Sequence, residues 1–350
     1  MKENVKLTVY LLMLVFGLWA CNNDNEELPP PDVSGIKMDV KVLRFDRAMM
    51  AIDTQNIGQG IAGLDRDFGS FSGIFLKHVI PLRRGDFSPE EQKDVMRAFL
   101  TYPLVQEVNE RVKAQFSAAD ISAQEARLEQ ALRYYHYYLP GAPAPDTLVT
   151  YLAQFELAAF LYGEGQLAVG LDFHLGPDYD YLSVDPREPI FSEYLSRTYT
   201  PKHMTEKLMR VLIEDYIPRP RSGRLVDYLL YEGKKLYLLD KVLPETPNHL
   251  LHEVTAEQMG WLERNEVAIY AQLQKENQFY STDQTLIKKL TQPAPYSQGM
   301  PRESPGQAVN YLGKQIIASY VRANPKVTME ELINIEDGQE ILAGARYKPR

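Results

Sequence analysis

Leu148-Val-Thr-Tyr-Leu-Ala-Gln-Phe155, Ala158-Ala-Phe-Leu-Tyr162, Gly163-Glu-Gly165 and Gln166-Leu-Ala-Val-Gly-Leu-Asp-Phe-His174 decide the fold class of this chain. Two apolar and aromatic runs meet a glycine turn. The segment after it alternates, with Leu167, Val169, Leu171 and Phe173 on one face. A period of two is the signature of a half-buried strand, and a short glycine-containing turn joins neighbouring strands as a hairpin. Gly176-Pro177-Asp178 ends the unit. A second strand is expected over residues 38–47, with Met38, Val40, Val42 and Phe45 inward. Gly58 to Gly73 is glycine-rich and reads as a loop.

Outward from this patch the signals are helical. Ser88-Pro89-Glu90-Glu91 combines a capping serine, a proline at the first helical position and a glutamate closing a capping box. That helix runs towards Tyr102, where Pro103 ends or kinks it, and a further segment reaches about Phe116. Ser122-Ala-Gln-Glu125 is a second box, opening a helix to about Tyr138, and Pro140, Pro143 and Pro145 then block continuation. From about residue 187 helices are expected near 189–198, 201–216, 222–239, 255–279, 282–290, 305–323, 328–334 and 337–344. Thr255–Gln258, Ser304–Gln307 and Thr328–Glu331 supply three more boxes. Val309, Leu312, Ile316, Ile317 and Tyr320 place a core-facing stripe on the 305–323 helix. The expected fold is α+β, predominantly α-helical with a small antiparallel sheet.

At the N-terminus, Lys2 and Lys6 precede the apolar run Leu7–Ala20, which is shorter than the ~20 residues a membrane span needs and suits a cleaved signal. Leu18-Trp19-Ala20-Cys21 resembles the lipobox of bacterial lipoproteins, which implies lipidation of Cys21. Cys21 is the single cysteine of 350 residues, so no internal disulfide is available and acylation removes a free thiol. The expected organisation is a signal peptide over 1–20, a lipidated flexible tether over 21–35 and a single globular domain over 36–350, its C-terminal half helical from about 187. The tether is polar and acidic, with prolines at 29–31. A formal charge of −9 argues against nucleic acid as a partner. Tyrosines outnumber tryptophans 22 to 2, which fits a glycan-binding face or simple helix packing.

No standard reaction motif is present. The chain lacks a G-x-S-x-G elbow and a P-loop. His249-Leu-Leu-His252-Glu253 spaces two histidines by three, matching neither zinc-protease helix pattern, and reads as a polar connection before the Thr255 cap. Asp178/Asp180 and Glu330/Glu331 read as solvated faces. Pro218-Arg-Pro-Arg-Ser-Gly-Arg224 is the most basic loop in an acidic chain; it suits an anionic partner or plain solvation.

Several blocks in fixed order carry a family resemblance: Gly170–Gly176; Tyr231-Glu-Gly-Lys-Lys-Leu-Tyr-Leu-Leu-Asp240; Thr255–Gln258 with Trp261 and Asn265-Glu266; Pro293-Ala-Pro-Tyr-Ser297; Ser304-Pro-Gly306 with Gly313-Lys-Gln-Ile316; and Tyr347-Lys-Pro349. Behind a lipobox, they resemble the gliding motility lipoprotein GldB family. The resemblance implies an envelope lipoprotein of gliding Gram-negative bacteria, associated with the gliding and type IX secretion apparatus. Its expected partners are the membrane, through the lipid anchor, and other envelope proteins. Asn22 after the cysteine favours the outer membrane, on its periplasmic side or surface. No reaction and no cofactor follow from the resemblance.

A hairpin followed by two helices is also similar to the layout of thermolysin-like zinc proteases (zincins). In that alignment Asp227 and Tyr231 stand where histidines would, and Glu263 or Glu266 stands at the third ligand position. Without both imidazoles no catalytic zinc is expected, so the implied object is a degenerate scaffold. Glu232, Gly233 and Lys234 form its polar centre; the alternative for this trio is a helix end, or a glycine kept for close packing. The reading that leads is a non-catalytic interaction component of the gliding machinery. A divergent peptidase-like hydrolase and a tyrosine-lined glycan binder are the alternatives.

Overall fold

β1 (Lys41–Arg44), β2 (Thr147–Tyr151), β3 (Ala159–Tyr162) and β4 (Gln166–Gly170) make one sheet in the order β1-β2-β4-β3. The computed structural model describes residues 29–80 and 88–350; Cys21, the leader and the first part of the tether lie outside the described residues. The turn at Gly163–Gly165 joins β3 to β4 as the expected antiparallel hairpin, Ala159 opposite Val169. Both turn glycines take positive φ, 56° and 95°, which costs glycine no Cβ clash. The sheet as a whole is mixed, because β2 pairs in parallel with both β1 and β4. Lys41 faces Thr147, and Leu148 faces Leu167. Leu148–Tyr151 is buried throughout, as a central strand with parallel neighbours requires.

Three expectations yield to tertiary structure; the first is the strand over 38–47, of which only Lys41–Arg44 is strand while Phe45–Met50 is helical. The alternation through His174 predicts a longer strand, yet β4 stops at Gly170 and Leu171–His174 forms a 3₁₀ turn. There the Asp172 carboxylate accepts from the backbone N–H of Ala153 and of Phe155, both at 2.9 Å, and this pins the chain into a new direction. A Cβ at Gly170 would sit 2.7 Å from Leu157 O, so glycine is required at the bend. The stretch Gly58–Gly73 is helical rather than loop, over Ile57–Phe68 and Ser70–Ile74. Ile57, Ile61 and Leu64 are buried at helical spacing, and Gly60 admits Ile52, whose Cγ2 would lie 2.4 Å from a Cβ.

Helices α1 (Pro89–Thr101) and α2 (Pro103–Gln115) fall as expected, with Ser88 and Glu91 closing their box. Helix α3 (Ala118–Tyr138) starts a turn before the Ser122 box, because Ser117 and Asp120 form a reciprocal cap first, with aspartate in the glutamate role. The C-terminal half holds α4 (Pro201–Tyr216), α5 (Leu225–Val242), α6 (Ala256–Arg264), α7 (Glu266–Lys275), α8 (Gln284–Thr291), α9 (Ala308–Ala323), α10 (Met329–Asn334) and α11 (Gly338–Ala345). The expected 255–279 helix breaks at Asn265, whose Nδ2 donates to Trp261 O at 2.8 Å. Ser304 does not cap α9; that helix begins after Gln307, which sits at φ 64°, and Ser304 Oγ instead accepts from Ser297 N.

Val33–Arg350 forms one compact unit with two hydrophobic cores. One surrounds the sheet and α1–α4; the other lies among α5–α11. Helix α5 enters both: Tyr231, Leu238, Leu239 and Val242 belong to the first, and Leu225, Val226, Leu229 and Leu230 to the second.

Candidate functional site

Helix α5 carries most of the residues singled out by the zincin-like layout, and its first turn is tied to the chain's end. Asp227, 3% exposed, accepts from Arg224 Nε and Nη2 (both 2.9 Å), from Ser222 Oγ and from Gly338 N (2.8 Å). Arg224 also reaches Asp337 at 2.7 Å, so the basic loop closes on acids of the same chain. Arg221 likewise pairs with Glu336 at 2.7 Å. Tyr231 lies under the ammonium of Lys235, 4.6 Å from ring centroid to Nζ. Gly233 is in mid-helix, where a Cβ would lie 2.4 Å from Gly313 C of α9. The close-packing reading of that glycine is the one the backbone requires. Lys234 donates to Ile333 O and Ile335 O, and burial lowers its pKa to about 8.

Glu263 is exposed. Glu266 is buried and accepts from Tyr311 OH (3.2 Å), Tyr347 OH (2.5 Å) and Arg350 N (3.1 Å). Asp227 and Glu266 share no partner, so the layout does not converge on one point. Both carboxylates act as fasteners for the C-terminal segment. Among the described residues no group of three or more His, Cys, Asp or Glu side chains is arranged to hold a metal ion.

A different cluster does converge. Between α4, α5, the stretches 194–198 and 252–254 and the loop 293–307 lies a narrow cleft in two lobes. The outer lobe is lined by Arg197, Thr198, His252, Glu253, Pro293 and Gly306 among others. The inner lobe is lined by Arg210, Glu232, His252, Gln307 and Asn310. Of the residues predicted from the zincin-like layout, Glu232 alone reaches it; its carboxylate pairs with Lys235 at 2.9 Å, and burial raises its pKa.

The polar wall is built by α4. Arg210 binds Glu206 Oε1 through Nε (2.8 Å) and Nη2 (2.5 Å), one turn apart on the helix, and Nη2 also donates to Leu251 O at 2.7 Å. Burial pushes the Glu206 carboxyl up to about 7 against the pull of Arg210. Burial works the same way on Glu253, but Lys207, at 2.5 Å, and Arg210 overcome it and hold that carboxyl at about 2. Arg197 Nη2 donates to Glu253 O at 2.9 Å. His252 is kept neutral, first by burial and then by the cations Lys314 and Arg210. Three polar atoms on lining residues have no hydrogen-bond partner: Arg197 Nε, His252 Nε2 and Asn310 Oδ1.

Residues 26–349, nearly the whole chain, match the family model described as gliding motility protein GldB. The chain belongs to the GldB family. No curated protein and no solved structure matches it. Three of the blocks that carry the GldB resemblance meet at the cleft: Glu232 and Leu236 from the first, Pro293 and Ala294 from the second, Gly306 from the third. Sequence reasoning did not single out Arg197, Glu206, Arg210 or Asn310, and it read His252 as a connector. One signal was present. Glu206 and Arg210, spaced i and i+4, share α4 with the buried Met204, Leu208, Met209, Leu212 and Ile213, so an ion pair sits beside an apolar stripe. Within this GldB-family chain no described helix is long and apolar enough to cross a membrane.

Proposed function

We propose that this chain is a lipid-anchored envelope component of the gliding and type IX secretion machinery, held by Cys21 at the outer membrane, and that it works by binding partners rather than by catalysis. Membership of the GldB family supports the process. The observation that carries the non-catalytic reading is the state of the zincin-like residues. Asp227, Lys234 and Glu266 spend hydrogen-bonding capacity fastening α5 and α7 to the segment after α9. A group already committed to neighbours on the same chain is poorly placed to act on a substrate. The tyrosines agree: Tyr135, Tyr151, Tyr181, Tyr199 and Tyr311 are core residues, which favours core packing over a glycan-binding row.

Two measurements test this. In cells, Cys21→Ser should abolish surface spreading while leaving the protein folded. In the purified chain, metal analysis and a general peptidase assay should give neither stoichiometric zinc nor cleavage. Chelator-sensitive cleavage with one bound zinc per chain would sink the reading.

A further inference from the structure

We propose that the cleft between α4, α5 and the 293–307 loop binds a carboxylate carried next to an N–H donor, the chemistry shared by a free α-amino acid and by the C-terminal residue of a peptide. The inference goes beyond the envelope role, since it concerns what the body binds whichever machinery it serves.

Some buried atoms of the cleft fold the chain at a cost. A buried polar atom without a partner costs about 1–3 kcal/mol, and natural cores contain few. Here three such atoms belong to residues lining one narrow opening, and His252 and Asn310 are only 8% and 4% exposed. They come from three distant parts of the chain, so no local motif explains them. The backbone beside them is held in a costly conformation as well. Glu253 and Gln307, on the cleft wall, take φ of 53° and 64°. Non-glycine residues sit there only when the surroundings enforce it, and such positions cluster at ligand sites.

The polarity of the atoms selects the ligand. Arg197 is a permanent cation with a free N–H, and His252 stands in both lobes. Lys314 and Arg210, the cations that press on His252, are already paired with Asp240 and Glu206, and Lys207 pairs with Glu253, so Arg197 is the lining cation that can take an anionic group at that end. Asn310 Nδ2 already donates to Thr291 O at 2.9 Å, which leaves Oδ1 as an acceptor, and Glu232 lies in the same lobe. An anion therefore belongs towards Arg197 and His252, and a donor towards Asn310 and Glu232. Each lobe takes one small polar group and leaves no room for a bulky ring system. A carboxylate on a short stem with an N–H two bonds away meets these demands, and a guanidinium donor suits it geometrically.

The test uses the full-length chain in detergent, with ring-labelled histidine so that all six histidines are seen by NMR. The probes are glycine, N-acetylglycine and glycinamide. The expected result is a saturable shift confined to the His252 resonances, assigned with His252→Gln, for at least one of the two carboxylates and none for glycinamide. A response to N-acetylglycine equal to or stronger than that to glycine identifies the source as a peptide C-terminus; a response to glycine alone identifies a free amino acid. Arg197→Gln, folded by its melting curve, should weaken the binding about tenfold or more. If none of the three probes moves His252 up to tens of millimolar, or if glycinamide moves it as much as the carboxylates do, the proposal is wrong. Loss of spreading in Cys21→Ser cells is independent of both results, so either inference can fail without the other.

Discussion

Around Phe45 the core is filled by rings. Phe45 meets Phe68, Phe71 and Phe75 with centroids 5.1, 5.0 and 4.7 Å apart, and Phe71 stacks on Phe160 of the sheet at 6.2 Å. Where α5 crosses α9 the opposite holds: Gly233 faces Gly313, and the helices touch backbone to backbone. The first region gains stability from apolar area, about 1.5–3 kcal/mol for each large side chain buried. The second gains it from proximity, which only the absence of a side chain permits. A deletion therefore damages the first region, and an addition damages the second.

The largest effect is expected from an addition. A Cβ at Gly313 would stand 2.2 Å from Leu229 O, a backbone atom that cannot swing aside. Gly313→Ala should cost about 5 kcal/mol or prevent folding, read from soluble yield and denaturant unfolding. A variant that melts within a few degrees of the parent would show that the crossing is looser than described. Next is a deletion at Phe45, which is fully buried. Phe45→Ala should cost about 4 kcal/mol by the same measurement. If its loss were under ~1 kcal/mol, the rings would be repacking, and the contrast between the regions would fail.

The smallest of the three effects depends on pH and belongs to the ring-filled region. Burial raises Asp172 from 3.8 to about 6, against the pull of its backbone donors. A raised acid contributes full stability below its unfolded pKa and loses it as pH rises through the folded value. The wild type therefore gives up stability between about pH 4 and 6, by ~3 kcal/mol for a shift of about two units. Asp172→Asn escapes that loss, so its stability relative to the parent should climb across the window. Urea unfolding at pH 4, 5, 6 and 7 measures it; a constant difference would mean that the carboxylate is not desolvated.

What the sequence made legible was local. The boxes at Ser88, Thr255 and Thr328 lie within four residues, and each forms as spelled. The hairpin turn at Gly163–Gly165 is local too. What stayed hidden needed a distant partner. The parallel place of β2, the burial of the glycine-rich Ile57–Phe68 helix and the Gly233–Gly313 notch each depend on residues far along the chain. The cleft was hidden for the same reason, because Arg197, His252 and Asn310 are unremarkable where each stands alone.

The parallel pairing of Lys41–Arg44 with Thr147–Thr150 sets an order of events in time. Any chain that emerges N-terminus first delivers β1 long before the strand that must receive it. Until Thr147 arrives, β1 has no ladder, and the helices between them are looped out at an entropic cost paid before the pairing rewards it. β1 thus appears early and waits about a hundred residues for its partner, which leaves a period in which a chaperone could hold it.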